Sequence, residues 1–243
     1  ANLALGSQTG AAASDVVDLA LTAQGGSVTD RSIQVRTGKV SAGVAETVAL
    51  DFSAAGGAFL SLAVDADITI AGSVLLQGTF GMLRLGSRTV TLSDGQKRAM
   101  AVTALSARGV KAQLGTGVGT SAFVGAELSG AELGLMVLTD QQGGGSFVAL
   151  RASAQSASLS GLAGLTLKAG ALSIGVNTGP GAGALAGTVV DFTQGDLDGD
   201  GRQSQATPVR LRGTPVTTLD FKGLAFEAAG TITVELAEAG AAA

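Results

Sequence analysis

Apolar and polar residues alternate along much of this chain. From Leu60 to Ile70 every even position is apolar, and the odd positions between them include two aspartates, Asp65 and Asp67. Successive side chains of a strand point to opposite faces, so such a run predicts a strand with one buried face. The same pattern recurs at Ile33/Val35, Val48/Leu50/Phe52, Leu83/Leu85, Val90/Leu92, Val148/Leu150/Ala152, Val209/Leu211 and Ile232/Val234/Leu236.

Glycine-rich segments separate these runs and predict tight turns. Met136–Leu138 and Phe147–Leu150, with a glycine loop between them, predict a β-hairpin. Gln96–Ala107 has the composition of a short helix, but its apolar residues also alternate, which favours a strand; Ser14–Leu21 is ambiguous. We therefore predict an all-β fold with an elongated, β-solenoid-like or stacked-hairpin architecture, and β-sandwich domains as the alternative.

The composition removes several kinds of chemistry. The 243 residues include no His, Cys, Trp or Tyr and only 8 Phe. Without His and Cys there is no Ser-His-Asp triad, no imidazole or thiolate metal ligand and no disulfide. Without Trp and Tyr the usual stacking platforms for sugars and bases are also missing. We therefore predict that the chain is not an enzyme.

The charge balance and hydropathy limit the partners. A formal net charge of −4 disfavours nucleic acid as a partner, because phosphate backbones are bound by basic surfaces. No window contains the roughly 18 uninterrupted apolar residues of a membrane helix, so we predict no membrane span.

An internal repeat is visible at an offset of 169 residues. Leu3–Gly10 resembles Leu172–Gly179, and Leu50-Asp51-Phe52 resembles Leu219-Asp220-Phe221 at the same offset. Residues 1–170 would form a first repeat unit and residues 171–243 the start of a second, and the two units could pack as one continuous β structure. A unit followed by part of another is typical of a segment from a tandem array, and generic similarity among Gly/Ala-rich strands is the alternative.

These Gly/Ala/Val/Thr-rich strands, the missing Cys and His, the acidic balance and the long repeat resemble repeat regions of very large bacterial surface proteins. Adhesins, filamentous haemagglutinin-like proteins and S-layer proteins are of this kind. The resemblance extends along the whole chain, but it is one of composition and repeat pattern and includes no diagnostic motif. It implies export, calcium dependence and a mechanical or adhesive role.

One motif predicts a metal site. Asp196, Asp198 and Asp200 occupy alternate positions of a short loop, and Gly201 follows at the sixth position, where a calcium loop makes its sharp turn. The three carboxylates would bind calcium, followed by the carbonyl of Arg202 and by Ser204.

This loop resembles those of EF-hands, dockerins and thrombospondin-type repeats, but its twelfth residue is Thr207 rather than a carboxylate. Asp191, Glu227 or water would then complete the shell. A solvated acidic turn is the alternative.

The sequence thus predicts a non-catalytic, extracellular or cell-surface structural repeat that forms or extends a fibre or surface layer, with copies of itself or neighbouring repeats as partners. A calcium-dependent adhesin that binds a cell-surface or matrix ligand is the alternative. A carboxylate-based hydrolase or lyase using Asp65 and Asp67 is a third hypothesis, against a solvated strand face for that pair.

Overall fold

A computed structural model describes residues 33–41, 43–50, 59–161, 165–195, 197 and 206–236. These residues form strands joined by turns and loops, and they include no helix. The strands are β1 (Ile33–Ser41), β2 (Val44–Leu50), β3 (Phe59–Ile70), β4 (Val74–Thr91), β5 (Lys97–Thr116), β6 (Val124–Asp140), β7 (Ser146–Ser160), β8 (Leu165–Thr178), β9 (Thr207–Leu211), β10 (Thr214–Leu219) and β11 (Ala225–Leu236).

The chain divides into two compact units. The first comprises Ala1–Leu60 with Gly199–Arg202, and the second comprises Ser61–Asp198 with Gln203–Ala243. In the first unit β1 and β2 form an antiparallel hairpin in which Ile33 pairs with Leu50 and Ser41 with Val44.

The second unit is built on a seven-stranded antiparallel sheet. Its order is β11-β8-β7-β6-β5-β4-β3, so the strands follow one another as a meander and only the last step is interrupted. The interruption is the segment between β8 and β11, which contains the separate β9–β10 hairpin. Because each neighbour reverses direction, the outer strands β3 and β11 run the same way.

The segment between β8 and β11 packs on one face of the sheet and forms a core with it. The β9–β10 hairpin contacts β5, β6 and β7, and Leu92, directly after β4, forms an isolated bridge with Val190 in the segment. The buried side chains of the sheet include Val90, Met100, Val102, Met136, Leu138 and Phe147, and those of the segment include Leu185, Val189, Phe192, Val209, Leu211 and Leu219.

Small residues in the sheet let the hairpin come close. Gly81, Ser106 and Gly134 are cross-strand neighbours in one row. A Cβ added to Gly81 would lie 2.5 Å from Leu211 Cδ1, and one added to Gly134 would collide with Thr217 and Val209. The hairpin therefore rests almost directly on the backbone of the sheet.

The predicted all-β class is confirmed. Of Gln96–Ala107, all but Gln96 lies in β5, as the alternation favoured. The predicted hairpin is present, with Leu138 paired to Phe147 across the glycine loop. The finer architecture, β-solenoid-like or stacked hairpins with β-sandwich domains as the alternative, stays a prediction.

The predicted repeat also stays a prediction. Its boundary between residues 170 and 171 falls within β8. Leu3–Gly10, the first copy of one matching block, and the ambiguous Ser14–Leu21 lie outside the described residues, as do Asp51 and Phe52 of the other block.

The part of the chain that the structure describes contains no helix with the length and hydropathy needed to cross a lipid bilayer.

Candidate functional site

The register of the seven-stranded sheet defines two faces. One row of cross-strand neighbours, Gly81, Ser106, Gly134, Arg151 and Gly175, lies under the β9–β10 segment, and we call this side the hairpin face. The adjacent row points to the opposite side, which we call the apolar face. It consists of Met82, Leu105, Leu135, Leu150, Val176 and Phe226.

The apolar face continues through three more rows toward the other end of the sheet. The first is Phe80, Ala107, Leu133, Ala152, Ile174 and Ala228. The second is Leu76, Ala112, Leu128, Ala157, Ala169 and Ile232. The third is Val74, Leu114, Ala126, Leu159, Leu167 and Val234.

Aligned bulges keep these rows on one side. On β5 the apolar residues of neighbouring rows, Ala107 and Ala112, are five positions apart, a spacing that would place them on opposite faces of a regular strand. The register shifts there, because β5 has one more residue than β4 at this level. β6, β7 and β8 have the same five-residue spacing, whereas β4 and β11 keep a spacing of four. The extra residue restores one continuous apolar face.

Charged side chains at the level of these rows lie on the hairpin face. Arg108 pairs with Glu132, Lys111 with Glu127, and Asp65 with Arg212 of the β9–β10 turn. By strand alternation Asp67, Lys168, Glu227 and Glu235 lie on the same side. Among the described residues of the four rows, the apolar face carries no charged side chain.

Large apolar side chains of this face are exposed to solvent. Leu114 is 60% exposed, Ile232 72% and Phe226 80%. Asp65 of β3 lies on the hairpin face, so the apolar residues that alternate with it belong to the apolar face. The exposed ones are Leu62, Val64, Ile68 and Ile70. The face is hollowed by an apolar groove of about 690 Å³ over its middle rows and by another of about 520 Å³ beyond it. Exposed apolar surface of this extent is typical of interaction sites in proteins.

On the hairpin face, polar contacts attach the β9–β10 segment to the sheet. Arg151 stacks on Phe221, 4.6 Å from the ring centroid, and donates to Asp220 Oδ1 at 2.7 Å. Buried Asn177 on β8 donates its Nδ2 to the carbonyls of Val190 and Gly223, both at 2.9 Å. These bonds fix the β9–β10 segment to the sheet.

Asp65 and Asp67, considered above as a catalytic pair, are both exposed. Thr79 Oγ1 donates to Asp65 at 2.6 Å and Arg212 at 2.8 Å. These hydrogen bonds, with Thr79 as the larger cause, lower the pKa of Asp65 below its ordinary value. The pattern is that of an ionised surface carboxylate tied to the β9–β10 turn.

The predicted calcium ligands Asp196, Asp198, Asp200, Arg202 and Ser204 lie outside the described residues. In the described part of the chain, no three His, Cys, Asp or Glu side chains cluster in a way that could hold a metal ion. Leu197, within the motif, is fully buried.

The two carboxylates considered for completing the calcium shell are both described. Burial opposes the ionisation of Asp191, but hydrogen bonds from Thr193 and Gln194 outweigh it and lower its pKa. Glu227 is exposed, with Oε2 3.9 Å from Arg151 Nη2.

Comparisons with protein-family models, curated proteins and solved structures find no match to this chain. The resemblance to repeat regions of bacterial surface proteins stays an expectation from the sequence. The apolar face and the outer strands of the sheet are therefore the features on which a function can be based.

Proposed function

We propose that this chain is a non-catalytic structural repeat of an extracellular or bacterial cell-surface protein. It forms or extends a fibre or surface layer through β-strand packing, with copies of itself or neighbouring repeats as partners. The observation that carries the proposal is the outer position of β11, which has no second strand neighbour among the described residues.

β11 is an outer strand with β8 as its one strand neighbour among the described residues. It has 12 residues, contains no proline, and is exposed from Phe226 to Glu235. An outer strand of this kind presents a row of backbone N–H and C=O groups that a strand of another molecule can pair with. Natural edges are usually shortened, bulged or blocked by lysine or proline, and β11 has one bulge near Gly230 and no lysine.

The odd number of strands determines how copies can join at their edges. β3 and β11 run in the same direction, so joining β11 of one copy to β3 of the next by translation makes a parallel pair. A two-fold axis beside β11 instead makes an antiparallel pair of two β11 strands, which has the hydrogen-bond pattern of the rest of the sheet. Because a two-fold pair is closed, a fibre built in this way also needs β3 to pair with β3 of a further copy.

The meander also supports the stacked-hairpin form of the predicted architecture. β3 to β8 are six consecutive strands, each antiparallel to the last, and the strands reach 20 residues in β5. Stacking of such sheets along their edges would give the elongated, layered structure of a surface fibre. Calcium bound by Asp196, Asp198 and Asp200 would stabilise the loop before β9 in this proposal.

Negative-stain electron microscopy of the purified full chain, with calcium and then with EDTA, tests the proposal. We expect filaments or ordered sheets in calcium. A lysine on the exposed edge, Ala229→Lys, should remove them, because like charges repel across paired β11 strands. Ser153→Lys is the matched control: it adds the same charge to the hairpin face of inner strand β7, opposite Glu132, and should assemble as the wild type does.

Small monodisperse particles in every condition would refute self-assembly. Filaments that Ala229→Lys leaves intact would show that assembly does not use the β11 edge. Loss of filaments in EDTA alone would place the Asp196–Asp200 loop at or near the contact.

A further inference from the structure

We infer that a second copy of this chain covers the apolar face, so that two seven-stranded sheets pack face to face. This inference goes beyond edge pairing by β11, since it rests on the faces of the sheet and not on its edge. It shares with the proposed function only the premise that the chain associates with itself.

The size of the face fits a stable dimer. Seven strands spaced about 4.8 Å apart are roughly 30 Å across, and the four apolar rows extend roughly 30 Å along the strands. The resulting area of roughly 900 Å² is comparable to the ~800 Å² per partner of a standard protein interface.

The chemistry of the face is self-complementary. A two-fold dimer packs the same surface of two copies together, so a charged group on that surface would lie near charges of the same sign. The apolar face avoids this repulsion because all charges at the level of its rows lie on the hairpin face. Polar residues, including Arg84, Thr139 and Ser146, lie toward one end of the same side, and an apolar centre with a polar rim is the usual anatomy of an interface.

The alternation of small and large side chains on the apolar face is also suited to face-to-face packing of two sheets. Ala107, Ala152 and Ala228 alternate across the strands with Leu133 and Ile174, and this row lines the groove of about 690 Å³. Layers that alternate small and large side chains interdigitate when they face one another. In the dimer the leucines of the next row, Leu105, Leu135 and Leu150, would fill the partner's groove at the usual sheet separation of about 10 Å.

Sedimentation velocity and equilibrium of the full chain test the inference. Under conditions in which it is not assembled into filaments, we expect the wild type to sediment at twice the 23.6 kDa mass of one chain. Leu114→Lys and Leu62→Lys each place a charge on an exposed position of the apolar face, so the dissociation constant should rise on the order of 100-fold. Ser153→Lys adds the same charge to the other face and should dimerise as tightly as the wild type.

Circular dichroism identifies any variant that fails to fold. Because the two lysine variants are on different strands, the test can still be made if one of them does not fold. A wild type that is monomeric at every concentration overturns the inference, as do two folded lysine variants that dimerise with wild-type affinity. A monomer that carries a co-purified acyl chain, detected by native mass spectrometry, assigns the face to lipid and also overturns it.

The two proposals fail separately. Filaments formed by a chain that is monomeric when disassembled would support edge pairing and contradict the face-to-face dimer. A dimer that Leu114→Lys dissociates and that never forms filaments would support the dimer and contradict the fibre. Ala229→Lys should abolish filaments and leave the dimer intact.

Discussion

Arg98 Nη2 lies 2.5 Å from Oδ2 of Asp140, whose side chain has no exposed surface. The pair joins the start of β5 to the end of β6, and the backbone N–H of Gly144 donates to the same Asp140 oxygen at 2.7 Å. The carboxylate thus anchors both the glycine loop after β6 and the neighbouring strand.

Removing the arginine should leave a buried, uncompensated charge. We expect Arg98→Met to lower the free energy of unfolding by about 3 kcal/mol, measured by urea denaturation at pH 7. Lys97→Met, at the exposed preceding residue, should change it by less than about 0.5 kcal/mol. Equal effects of the two substitutions would contradict a structural role for the ion pair.

Acid should weaken the fold partly through Asp140. The hydrogen bond from Arg98 is the main cause that lowers the pKa of Asp140 below its ordinary 3.8, against the opposing effect of burial. A carboxyl whose pKa is lower in the folded state stabilises the fold above its unfolded pKa, and this stabilisation is lost as the pH falls through the folded value. Between pH 4 and pH 2, thermal unfolding of Asp140→Asn should therefore shift less than that of the wild type, although the variant is less stable at pH 7. Parallel melting-temperature curves would refute this assignment.

A side chain at Gly134 should push the β9–β10 hairpin off the sheet. Gly134→Ala places its Cβ against Thr217 and Val209, and we expect a loss of about 1–3 kcal/mol in chemical denaturation. Gly181→Ala is the control, because its Cβ would have no atom within 4 Å. If Gly134→Ala were as stable as the control, the close approach of hairpin and sheet would be wrong.

Asn177 should be needed for the β9–β10 segment to dock. In Asn177→Leu the carbonyls of Val190 and Gly223 lose their donor, at about 1–3 kcal/mol for each group left unsatisfied. Amide hydrogen exchange should accelerate in residues 206–224 of the variant, while Ser173→Ala, exposed on the same strand, should exchange as the wild type does. Unchanged exchange in that segment would mean that these bonds do not hold it.

Local alternation was sufficient to predict most strands and the all-β class. Leu60 to Ile70 alternates without a break and lies within β3, and the glycine loop between Leu138 and Phe147 marked its hairpin, because both signals come from residues close in sequence. The apolar face was not predicted as one surface. Its rows change phase at the aligned bulges, so Ala107 and Ala112 have a spacing that period-two reasoning assigns to opposite faces.

The polar contacts could not be predicted from the local sequence for a different reason, because their partners are distant in the chain. Arg98 gave no local signal of an ion pair, because its partner Asp140 is 42 residues away. Asn177 gave no signal, since the carbonyls that it binds belong to a segment that folds back from later in the chain. Only the pairing of β5 with β6 and the packing of that segment on the sheet bring such groups together. The ligands of the calcium motif, which the sequence marked most clearly, lie outside the described residues and stay a prediction.

Asn177 and Ala225 are cross-strand partners, so the long excursion that carries β9 and β10 leaves the sheet and returns to it at adjacent points. A short turn would join the same two strands without altering their register. The segment between β8 and β11 therefore has the character of an insertion into the meander. Its length and sequence can differ among related chains while the strand order of the meander stays the same.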